Sequence, residues 1–347
     1  MNEPTSEQFG SQPLLTIAIP TYNRSRYLRE LLSALHDQVV REPQVELIIS
    51  DNASPDDTPA VVAEFQEQGL PVRYLRNPEN IGADGNFLQC FEQARGKYFW
   101  LFGDDDVLLP GALRLLVERL ASQTYDLVYL NSFPLETSTA LNEARGPLNV
   151  KDSSSAAVFA SNVHIYFSFI TGNIVHKEAA LRGLERPASE LRNSNLLQLG
   201  WTYAALNQYR RGLVVKDKLI GARVDNTGGY KLLEVFGPSL RAVTDKRVKA
   251  PRLRAIILNG AIQRFWPGML MTYKLKADTF SKEAAPEVVL GPVFGRNWRY
   301  WVFTVPIIRM PAGLAQVWFF LVRIINRLDR LFGFFLLRLR MPSSGHE

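Results

Sequence analysis

The sequence is poor in cysteine and histidine, and it lacks a long uncharged run. Because Cys90 is the only cysteine among 347 residues, no intrachain disulfide can form, which favours a reducing compartment. The four histidines are too scattered to predict a zinc site. The sequence shows no zinc-finger, RNP or basic-zipper pattern, so nucleic acid is not expected as a partner. Residues 1–15 lack the basic and apolar segments of a secretory signal, and we therefore expect a cytoplasmic protein.

What the sequence does have is enough apolar residues for a large core, together with an uneven distribution of charge. Hydrophobic residues make up 46% of the chain, which indicates a globular protein. Residues 1–150 contain 11 lysines and arginines against 21 aspartates and glutamates, whereas residues 151–347 contain 29 against 13. The basic second part predicts an anionic partner, such as a membrane surface or an anionic substrate.

Residues 13–131 alternate short apolar runs with segments of helical period, which is typical of an α/β fold with a mainly parallel sheet flanked by helices. The predicted strands are 14–19, 45–50, 72–75, 98–102 and 126–131. The predicted helices begin near Ser25, which we expect to act as a cap, after "SPDDT", before Phe87 and at Pro110. Cys90 lies on the apolar face of the third helix and is expected to be a core thiol.

Polar clusters follow four of the predicted strands: "PTYNRSR", "DNASPDD", "RNPENIGADGN" and "GDDD". In an open α/β sheet, ligands bind beyond the carboxyl ends of the strands. Helix capping explains any single one of these clusters equally well. Four of them at successive strand ends predict a polar binding site along one edge of the sheet.

These motifs resemble the N-terminal half of family-2 glycosyltransferases, which have the GT-A (Rossmann-like) fold. The resemblance covers about residues 13–131 and rests on "IAIPTYNRSRYLRELLSAL", "ELIISDNASPDDT", "NPENIGADGNF" and "GKYFWLFGDDDVLLPGAL". The "GDDD" form is closest to the abequosyltransferase-like branch, and "VDNTGGYKLLEVFG" at 224–237 is similar to a segment of that branch. The resemblance implies inverting transfer of a sugar, with a deoxyhexose as one candidate, from a nucleotide-sugar. It also implies a role in surface polysaccharide or O-antigen synthesis. A lipid-linked saccharide is the expected acceptor if the chain works at a membrane surface.

The three adjacent aspartates of "GDDD" predict a divalent cation. A departing nucleoside diphosphate gains negative charge, and Mg²⁺ or Mn²⁺ held by carboxylate oxygens stabilises it. Aligning with the family's D-x-D-D pattern gives Asp105 and Asp106 as metal ligands, whereas reading D-x-D directly gives Asp104 and Asp106. Asp106 is common to both and is our first choice as a catalytic metal ligand, with Asp104 next. A solvated acidic turn is the alternative.

The loops at the other strand ends supply candidates for donor binding. Asp51 resembles the family's base-reading aspartate, and a carboxylate can accept a hydrogen bond from the N3–H of uracil or thymine but not from cytosine. This favours UDP or dTDP, although the branch includes CDP-sugar users. Tyr22 is a candidate stacking wall and Arg24 a candidate phosphate or ribose contact; a plain capping or glycine-rich turn is the alternative. The other donor-binding candidates are Pro20, Thr21, Asn23, Asn52, Asn80, Gly82, Asp84, Asn86, Asp104 and Asp105.

Inverting transfer requires a general base that removes the acceptor hydroxyl proton. Many relatives supply it from an acidic pair at the start of a later helix, but here the predicted helix 194–209 is accompanied by Asn193 and Asn195. Glu190 is the nearest candidate base, and Asp225 is the second. His164 and His176 are expected in the core or in an acceptor groove rather than as bases.

The predicted organisation is a flexible N-terminus (1–12), a GT-A domain (13–230) and a basic helical region (231–347). The domain divides into a nucleotide-sugar half (13–131) and an acceptor half (132–230), which opens with a loop or lid at 132–155.

The terminal part of the basic region has the pattern of an amphipathic helix. Its longest uncharged run, Met310 to Val322, has 13 residues, fewer than the ~20 that span a bilayer. One predicted side carries Arg323, Arg327, Arg330 and Arg338, and the other carries Trp318, Phe319, Leu321, Phe332, Phe335 and Leu336. We expect a helix in the interface of the inner membrane, on its cytoplasmic face. Packing against its own domain or against a second subunit is the alternative.

Two other function classes stay open at this point. A sugar-phosphate nucleotidyltransferase shares the sheet type, but its glycine-rich phosphate loop with Arg or Lys is not found near the N-terminus. A non-catalytic nucleotide-sugar-binding protein would account for the missing acidic pair near Asn193.

Overall fold

The computed structural model describes residues 12–135, 141–223, 231–275 and 284–331. Residues 1–11 and Asp225 therefore lie outside the described residues, as do the predicted positions Phe332, Phe335, Leu336 and Arg338. The described chain forms two compact units, one from residues 12–154 and 167–223 and the other from 155–166 and 231–331. The predicted domain boundary had placed residues 155–166 with the first unit.

The first four strands of the first unit form a parallel sheet in the order β3-β2-β1-β4. They are β1 (Leu15–Thr21), β2 (Val45–Asp51), β3 (Val72–Arg76) and β4 (Tyr98–Leu101). Every residue of β1, β2 and β4 is buried, as expected for parallel strands covered on both faces. The apolar runs predicted all four strands to within two residues at each end.

The helices between these strands follow the apolar periodicity. They are α1 (Ser25–Val40), α2 (Thr58–Glu67), α3 (Gly82–Gln93) and α4 (Ala112–Ser122). Cys90 is fully buried, and burial raises the pKa of its thiol to about 12, which confirms a core thiol. The side chain of Ser25 does not cap α1 as expected; instead Asp56 Oδ2 accepts from the Ser25 N–H at 2.8 Å.

Beyond β4 the sheet becomes mixed, so the predicted parallel arrangement holds for the first four strands and not for the whole sheet. The order continues β4-β8-β6-β9-β5, with β7 paired to β9. Only β6 and β9 are parallel among these further pairs. The strands are β5 (Val107–Leu108), β6 (Leu127–Leu135), β7 (Val150–Ser153), β8 (Asn173–His176) and β9 (Gly212–Arg223).

Several boundaries in this part differ from the prediction because distant strands pair there. β5 pairs with β9 and occupies Val107–Leu108, just before the predicted start of the helix. α4 begins at Ala112 rather than at Pro110. β6 continues to Leu135 along β9, and β7 pairs with the same strand, so the expected loop 132–155 contains two strand segments. The remaining helices of the first unit are α6 (Lys177–Gly183), a 3₁₀ turn (Ala188–Leu191) and α7 (Leu199–Asn207).

The second unit is helical. It contains α5 (Ala156–Val163), α8 (Leu232–Glu234), α9 (Leu240–Arg247), α10 (Pro251–Gly260), α11 (Trp266–Leu275), α12 (Pro286–Phe294), α13 (Val305–Arg309) and α14 (Ala312–Leu331). Three π-helical stretches connect its helices, at Val235–Ser239, Ala261–Phe265 and Tyr300–Thr304. Within the four described ranges, no helix is both long enough and apolar enough to cross a bilayer.

Candidate active site

The order of the parallel strands brings the predicted polar clusters together. β1 lies between β2 and β4, and Thr21 at the end of β1 pairs with Asp51 at the end of β2. On the other side of β1, the Phe102 N–H donates to the Ala18 carbonyl at 2.9 Å, so "GDDD" emerges beside "PTYNR". The polar residues at the ends of these strands therefore lie along one edge of the sheet, as predicted.

Asp104 is held by the loop that follows β1. Its Oδ2 accepts a hydrogen bond from Thr21 Oγ1 at 2.8 Å, and its Oδ1 accepts from Arg24 Nη1 at 2.9 Å. The same Arg24 nitrogen lies 3.6 Å from Asp105 Oδ2. Burial nevertheless raises the pKa of Asp104 to about 6, because it outweighs the attraction of Arg24, and the neighbouring Asp105 adds repulsion. The structure thus brings Thr21, Arg24, Asp104 and Asp105 together, as the sequence predicted.

Asp106 faces away from Arg24, toward two residues that the sequence did not single out. Its Oδ2 accepts a short hydrogen bond from the Thr171 hydroxyl, and its Oδ1 accepts from the backbone N–H of Arg223 at 3.1 Å. Burial raises the pKa of Asp106 to about 7, and the charges of Asp105 and Asp104 add to the effect. Asp106 is therefore the most strongly perturbed carboxyl group of the cluster.

Thr171 and Arg223 reach Asp106 through strand pairing. Thr171 precedes β8, which pairs with β4, and Arg223 ends β9, which pairs with β5 immediately after Asp106. The Arg223 guanidinium also donates from Nε to the backbone oxygen of Asp105 at 3.2 Å and from Nη2 to Glu30 Oε2 at 2.5 Å. No local sequence signal marks either residue, because each contact joins positions at least 65 residues apart.

Gly103 gives the carboxylates room to turn back on the strand. Its N–H donates to Thr171 Oγ1 at 2.9 Å. A Cβ at this position would lie 3.1 Å from Asp106 Oδ2 and 3.1 Å from Thr171 Oγ1, closer than most side-chain contacts allow. The glycine of "GDDD" is thus explained by crowding around Asp106.

The donor chemistry of this cluster fits a divalent cation. Its acidic groups are carboxylates only, which are the ligands that Mg²⁺ and Mn²⁺ prefer. Asp104 and Asp106 are 4% and 6% exposed, and their raised pKa values show that the nearby arginines do not fully compensate the buried charge. In the described ranges no three His, Cys, Asp or Glu side chains converge on one point. Beside this cluster, Arg24 Nη1 lies 2.9 Å from Asp104 Oδ1 and 3.6 Å from Asp105 Oδ2.

Asp51 has a different and more complete environment. It is fully buried, and its Oδ1 accepts from the Ser54 N–H at 2.8 Å. Its Oδ2 accepts from the Tyr74 hydroxyl at 2.6 Å and lies 3.5 Å from Arg76 Nε. Burial, followed by the hydrogen bond and charge of Asp51, raises the pKa of Tyr74. Tyr74 and Arg76 belong to β3 and were not among the sequence candidates.

The asparagines of the candidate donor site bond to one another and to the backbone. Asn52 Nδ2 donates to Asn80 Oδ1 at 2.7 Å, while Asn52 Oδ1 accepts from Asn77 Nδ2 at 3.0 Å. Asn86 Nδ2 donates to the Ser50 carbonyl at 2.8 Å. Gly82, at the start of α3, has a φ of 78°. These amides fix the shape of the loop after β3 against the end of β2.

Asp84 connects this loop to the segment that contains Asn193 and Asn195. Burial raises the pKa of Asp84, although the backbone N–H groups of residues 193, 194, 195 and 197 oppose the shift. Asn193 and Asn195 have φ values of 67° and 56°, and asparagine tolerates this left-handed conformation better than most residues do. The two asparagines therefore have a backbone role, as part of a turn around the Asp84 carboxylate.

The remaining candidates of the β1 loop differ in exposure. Pro20 is buried within β1, whereas the side chain of Tyr22 is 43% exposed and accessible for stacking. Asn23 has a φ of 54°, and its N–H donates to Ser54 Oγ at 3.0 Å. Ala53, with a φ of 62°, is also left-handed, so both loops hold strained backbone at this edge.

The candidate base Glu190 lies on the 3₁₀ turn Ala188–Leu191. It is exposed, and its Oε2 is 3.9 Å from Arg186 Nη1. His164 and His176 are buried, and burial lowers the pKa of both, as expected of neutral core histidines.

The comparison with protein families agrees with this geometry. The family model described as glycosyl transferase family 2 matches residues 16–173, which include the β1 loop, Asp51, the asparagine network and the three aspartates. Residues 16–173 form a glycosyl transferase family 2 domain. Glu190 and Arg223 lie outside the matched range.

Curated relatives share this part of the chain. The abequosyltransferase RfbV of Salmonella typhimurium is 36% identical over 180 residues, which are 48% of this chain and 53% of that protein. A GalNAc(5)-diNAcBac-PP-undecaprenol beta-1,3-glucosyltransferase of Campylobacter jejuni is 32% identical over 142 residues, or 41% of this chain and 45% of that protein. The chain thus spans about half the length of the curated relatives it matches.

Solved structures confirm the GT-A-like fold over most of the chain. S. aureus TarS 1-349 in complex with UDP superposes with a TM-score of 0.59 at 17% identity, covering 92% of each chain. The mannosyltransferase PcManGT of Pyrobaculum calidifontis, in complex with GDP-Man and Mn²⁺, superposes with a TM-score of 0.50 at 17% identity, covering 92% of this chain and 89% of that one. At such identities the likeness shows the fold alone.

Proposed function

We propose that this chain is a metal-dependent, inverting glycosyltransferase that moves a sugar from a nucleotide-sugar to a lipid-linked saccharide. The observation that carries the proposal is the contact of Thr21 and Arg24 with Asp104 at one edge of a family-2 domain, with the buried carboxylate of Asp106 two residues further on. Buried carboxylates beside an arginine and an exposed tyrosine suit a ligand that has a diphosphate at one end and a base at the other.

Within this proposal Asp104 and Asp106 hold Mg²⁺ or Mn²⁺. The ion supplies charge stabilisation for the leaving diphosphate. Arg24, which contacts Asp104 and keeps about a third of its side chain exposed, would donate to a phosphate oxygen of the donor. Support for a divalent ion comes from the oxygen donor set and from PcManGT, a structural neighbour with bound Mn²⁺.

The nucleoside lies beside Asp51 and Tyr22. Tyr74 and Ser54 orient the Asp51 carboxylate. Its Oδ1 accepts one hydrogen bond, from the Ser54 N–H, and is the oxygen that would accept from the N3–H of uracil or thymine. The ring of Tyr22 stacks on the base. Two groups of residues form the wall of the site. One is the backbone of Pro20 and Asn23, and the other is the network of Asn52, Asn80, Gly82, Asp84 and Asn86.

Glu190 is the proposed base, with Asp225 as the second candidate. A general base contributes about 10²–10⁴-fold to the rate. Glu190→Gln should therefore lower kcat at least about a hundredfold and remove the acidic limb of the pH–rate profile, with Glu185→Gln as the control. A pH–rate profile identical to that of the wild type would exclude Glu190.

The acceptor and the location are proposed from the relatives and from the charge of the second unit. One relative's name includes an undecaprenol diphosphate, and another is an abequosyltransferase. We place the chain peripherally at the cytoplasmic face of the inner membrane, in surface polysaccharide or O-antigen synthesis. The first unit would bind the donor, while residues 231–347 would serve the membrane side.

The decisive experiment is a thermal-shift screen of the full chain against UDP-, dTDP-, CDP- and GDP-sugars, with Mn²⁺ and with a chelator. We expect one nucleotide class to raise Tm, and chelator to abolish most of the shift. A shift that is indifferent to chelator would contradict the metal assignment. Release of pyrophosphate from a nucleoside triphosphate and a sugar phosphate would instead indicate a nucleotidyltransferase, and donor binding without transfer or hydrolysis would indicate a binding protein.

A further inference from the structure

Helix α14 turns its large apolar side chains to the outside. The exposed row consists of Leu314, Val317, Phe320, Leu321, Ile324 and Leu328, whose exposed fractions run from 42% to 62%. At 3.6 residues per turn these positions share one sector of the helix. This sector normally packs on the core of a soluble domain, so its exposure requires an explanation.

The inward sector of α14 is partly polar and is tied to its own unit. Asp329 is buried and forms a 2.8 Å ion pair with Arg264, which is also buried. Asn326 and Gln263 exchange hydrogen bonds of 2.9 and 2.8 Å. Rotating the helix to bury its apolar row would break these pairs and leave Arg264 buried without its carboxylate. The polar contacts therefore fix the helix with its apolar row outward.

The exposed surface extends beyond α14. Trp318 Nε1 donates to the Val302 carbonyl at 3.0 Å, which places the π-helical stretch Tyr300–Thr304 alongside the helix. Trp301 and Val302 on that stretch are 50% and 37% exposed. Trp318 and Phe319, which the sequence placed on the interfacial side, are half-buried instead. The exposed row is thus a different set of residues from the predicted one, with Leu321 as the shared member.

Arginines occupy the sector next to the apolar row. Arg323, Arg327 and Arg330 are exposed, and by helical position they lie on one flank. A bilayer that contains anionic phospholipid offers an apolar layer and a negatively charged surface at the same place, which matches this arrangement. A second copy seated on the same face would bring two rows of arginines together, which favours the bilayer as the partner.

We propose that the apolar row of α14, with Trp301 and Val302 beside it, inserts into an anionic phospholipid bilayer, and that Asp329 and Asn326 set its rotation. This inference deepens the proposed function. It rests on that function only for the reason why membrane binding would be useful, which is access to a lipid-linked acceptor. The surface itself is a property of the second unit and needs no donor.

The test is sedimentation of the full chain with phosphatidylcholine vesicles, with and without phosphatidylglycerol, in the absence of nucleotide-sugar. We expect co-sedimentation with the anionic vesicles. Phe320→Glu combined with Ile324→Glu should weaken it more than about tenfold, because two apolar anchors are lost. Leu181→Glu, at an exposed apolar position of the first unit, is the matched control and should leave binding unchanged.

A second variant tests the charged flank. Arg323→Gln with Arg327→Gln should weaken binding to anionic vesicles about thirtyfold, since each arginine near such a surface contributes about a factor of five. Arg252→Gln, at an exposed site on α10, is its control. Wild-type protein that stays in the supernatant would overturn the proposal. A wild-type dimer that the glutamate pair converts to monomers would also overturn it, in favour of a subunit interface. Absence of vesicle binding in the wild type, with an intact donor thermal shift, would overturn this inference and the membrane location but leave the donor-dependent transferase activity standing.

Discussion

Two of the regions that bury carboxylates balance the charge differently. In the second unit, Asp329 lies 2.8 Å from Arg264, and the buried Arg299 adds a second positive charge that interacts with it. At the carboxyl edge of the first unit, three consecutive aspartates share Arg24 and the backbone and guanidinium groups of Arg223. Burial raises the pKa of both Asp104 and Asp106. Arginines thus compensate the carboxylate of the second unit, whereas the raised pKa values at the edge of the first unit indicate that negative charge there is compensated less fully.

If the Asp329–Arg264 pair serves stability alone, replacing Asp329 should lower the free energy of unfolding more than the other substitutions below. Asp329→Asn leaves a buried guanidinium uncompensated, and we expect the free energy of unfolding to fall by about 3–5 kcal/mol. Urea denaturation followed by tryptophan fluorescence measures this, because four of the six tryptophans lie in the second unit. Glu118→Gln, in the exposed Arg114–Glu118 pair, is the control and should change the value by less than about 1 kcal/mol. Equal effects of the two substitutions would contradict the comparison.

If the aspartates of the first unit are functional, their removal should spare stability and abolish activity. Asp106→Asn should lower turnover at least about a hundredfold, roughly 2.7 kcal/mol, while the far-ultraviolet circular dichroism stays that of the wild type and Tm at neutral pH does not fall. Turnover is measured as transfer or hydrolysis of the nucleotide-sugar identified by the thermal-shift screen.

Parallel measurements on Asp104→Asn and Asp105→Asn decide between the two alignments. Asp104 is the more buried of the two, with 5% of its side chain exposed against 19% for Asp105. We expect the Asp104 variant to lose more activity. The opposite order would favour Asp105 and Asp106 as the metal ligands.

The raised pKa values predict how stability depends on pH. Asp104 and Asp106 have pKa values of about 6 and about 7 in the folded chain, above the ordinary value of 3.8. Between about pH 4 and pH 7 the folded state therefore binds more protons than the unfolded state, and these two groups make stability fall as pH rises. Tm of the metal-free protein, measured across this range, should decline less steeply in Asp106→Asn. Stability that rises in the wild type and in the variant alike would contradict the assignment.

The smallest expected effect is that of replacing Arg24, whose guanidinium contacts Asp104 and Asp105. Arg24 partly neutralises Asp104 and Asp105, and it is about one-third exposed, so its pairing should be worth no more than about 1 kcal/mol. Arg24→Gln should therefore bind Mn²⁺ alone two- to fivefold more tightly, as measured by calorimetry without nucleotide. Arg26→Gln, whose partner is Glu30, is the matched control. Weaker Mn²⁺ binding in Arg24→Gln would show that the arginine helps to hold the ion site together.

The sequence was informative where structure depends on neighbouring residues. Apolar runs and helical periods gave the first four strands and their helices, and strand-end polarity indicated the edge where Thr21, Arg24 and Asp104 meet. It was uninformative where a contact depends on a distant strand. Thr171 and Arg223 beside Asp106, and Tyr74 beside Asp51, carry no local signal that distinguishes them from ordinary strand-end residues.

Helix α14 likewise has one feature that the sequence predicted and one that it did not. The spacing of its arginines and apolar residues predicted an amphipathic helix, and α14 is one. The spacing did not tell which apolar residues face outward, because that depends on Asp329 and Asn326 finding Arg264 and Gln263 on another helical segment.

By itself, the sequence determined the first four strands, the helices between them and the residue types that stand at those strand ends, because all three follow from short-range periodicity and from turn chemistry. Only the tertiary structure decided how the buried charges are compensated. Burial gives a carboxylate an unfavourable free energy that its neighbours in space reduce, and those neighbours come from strands and helices that are remote in the chain.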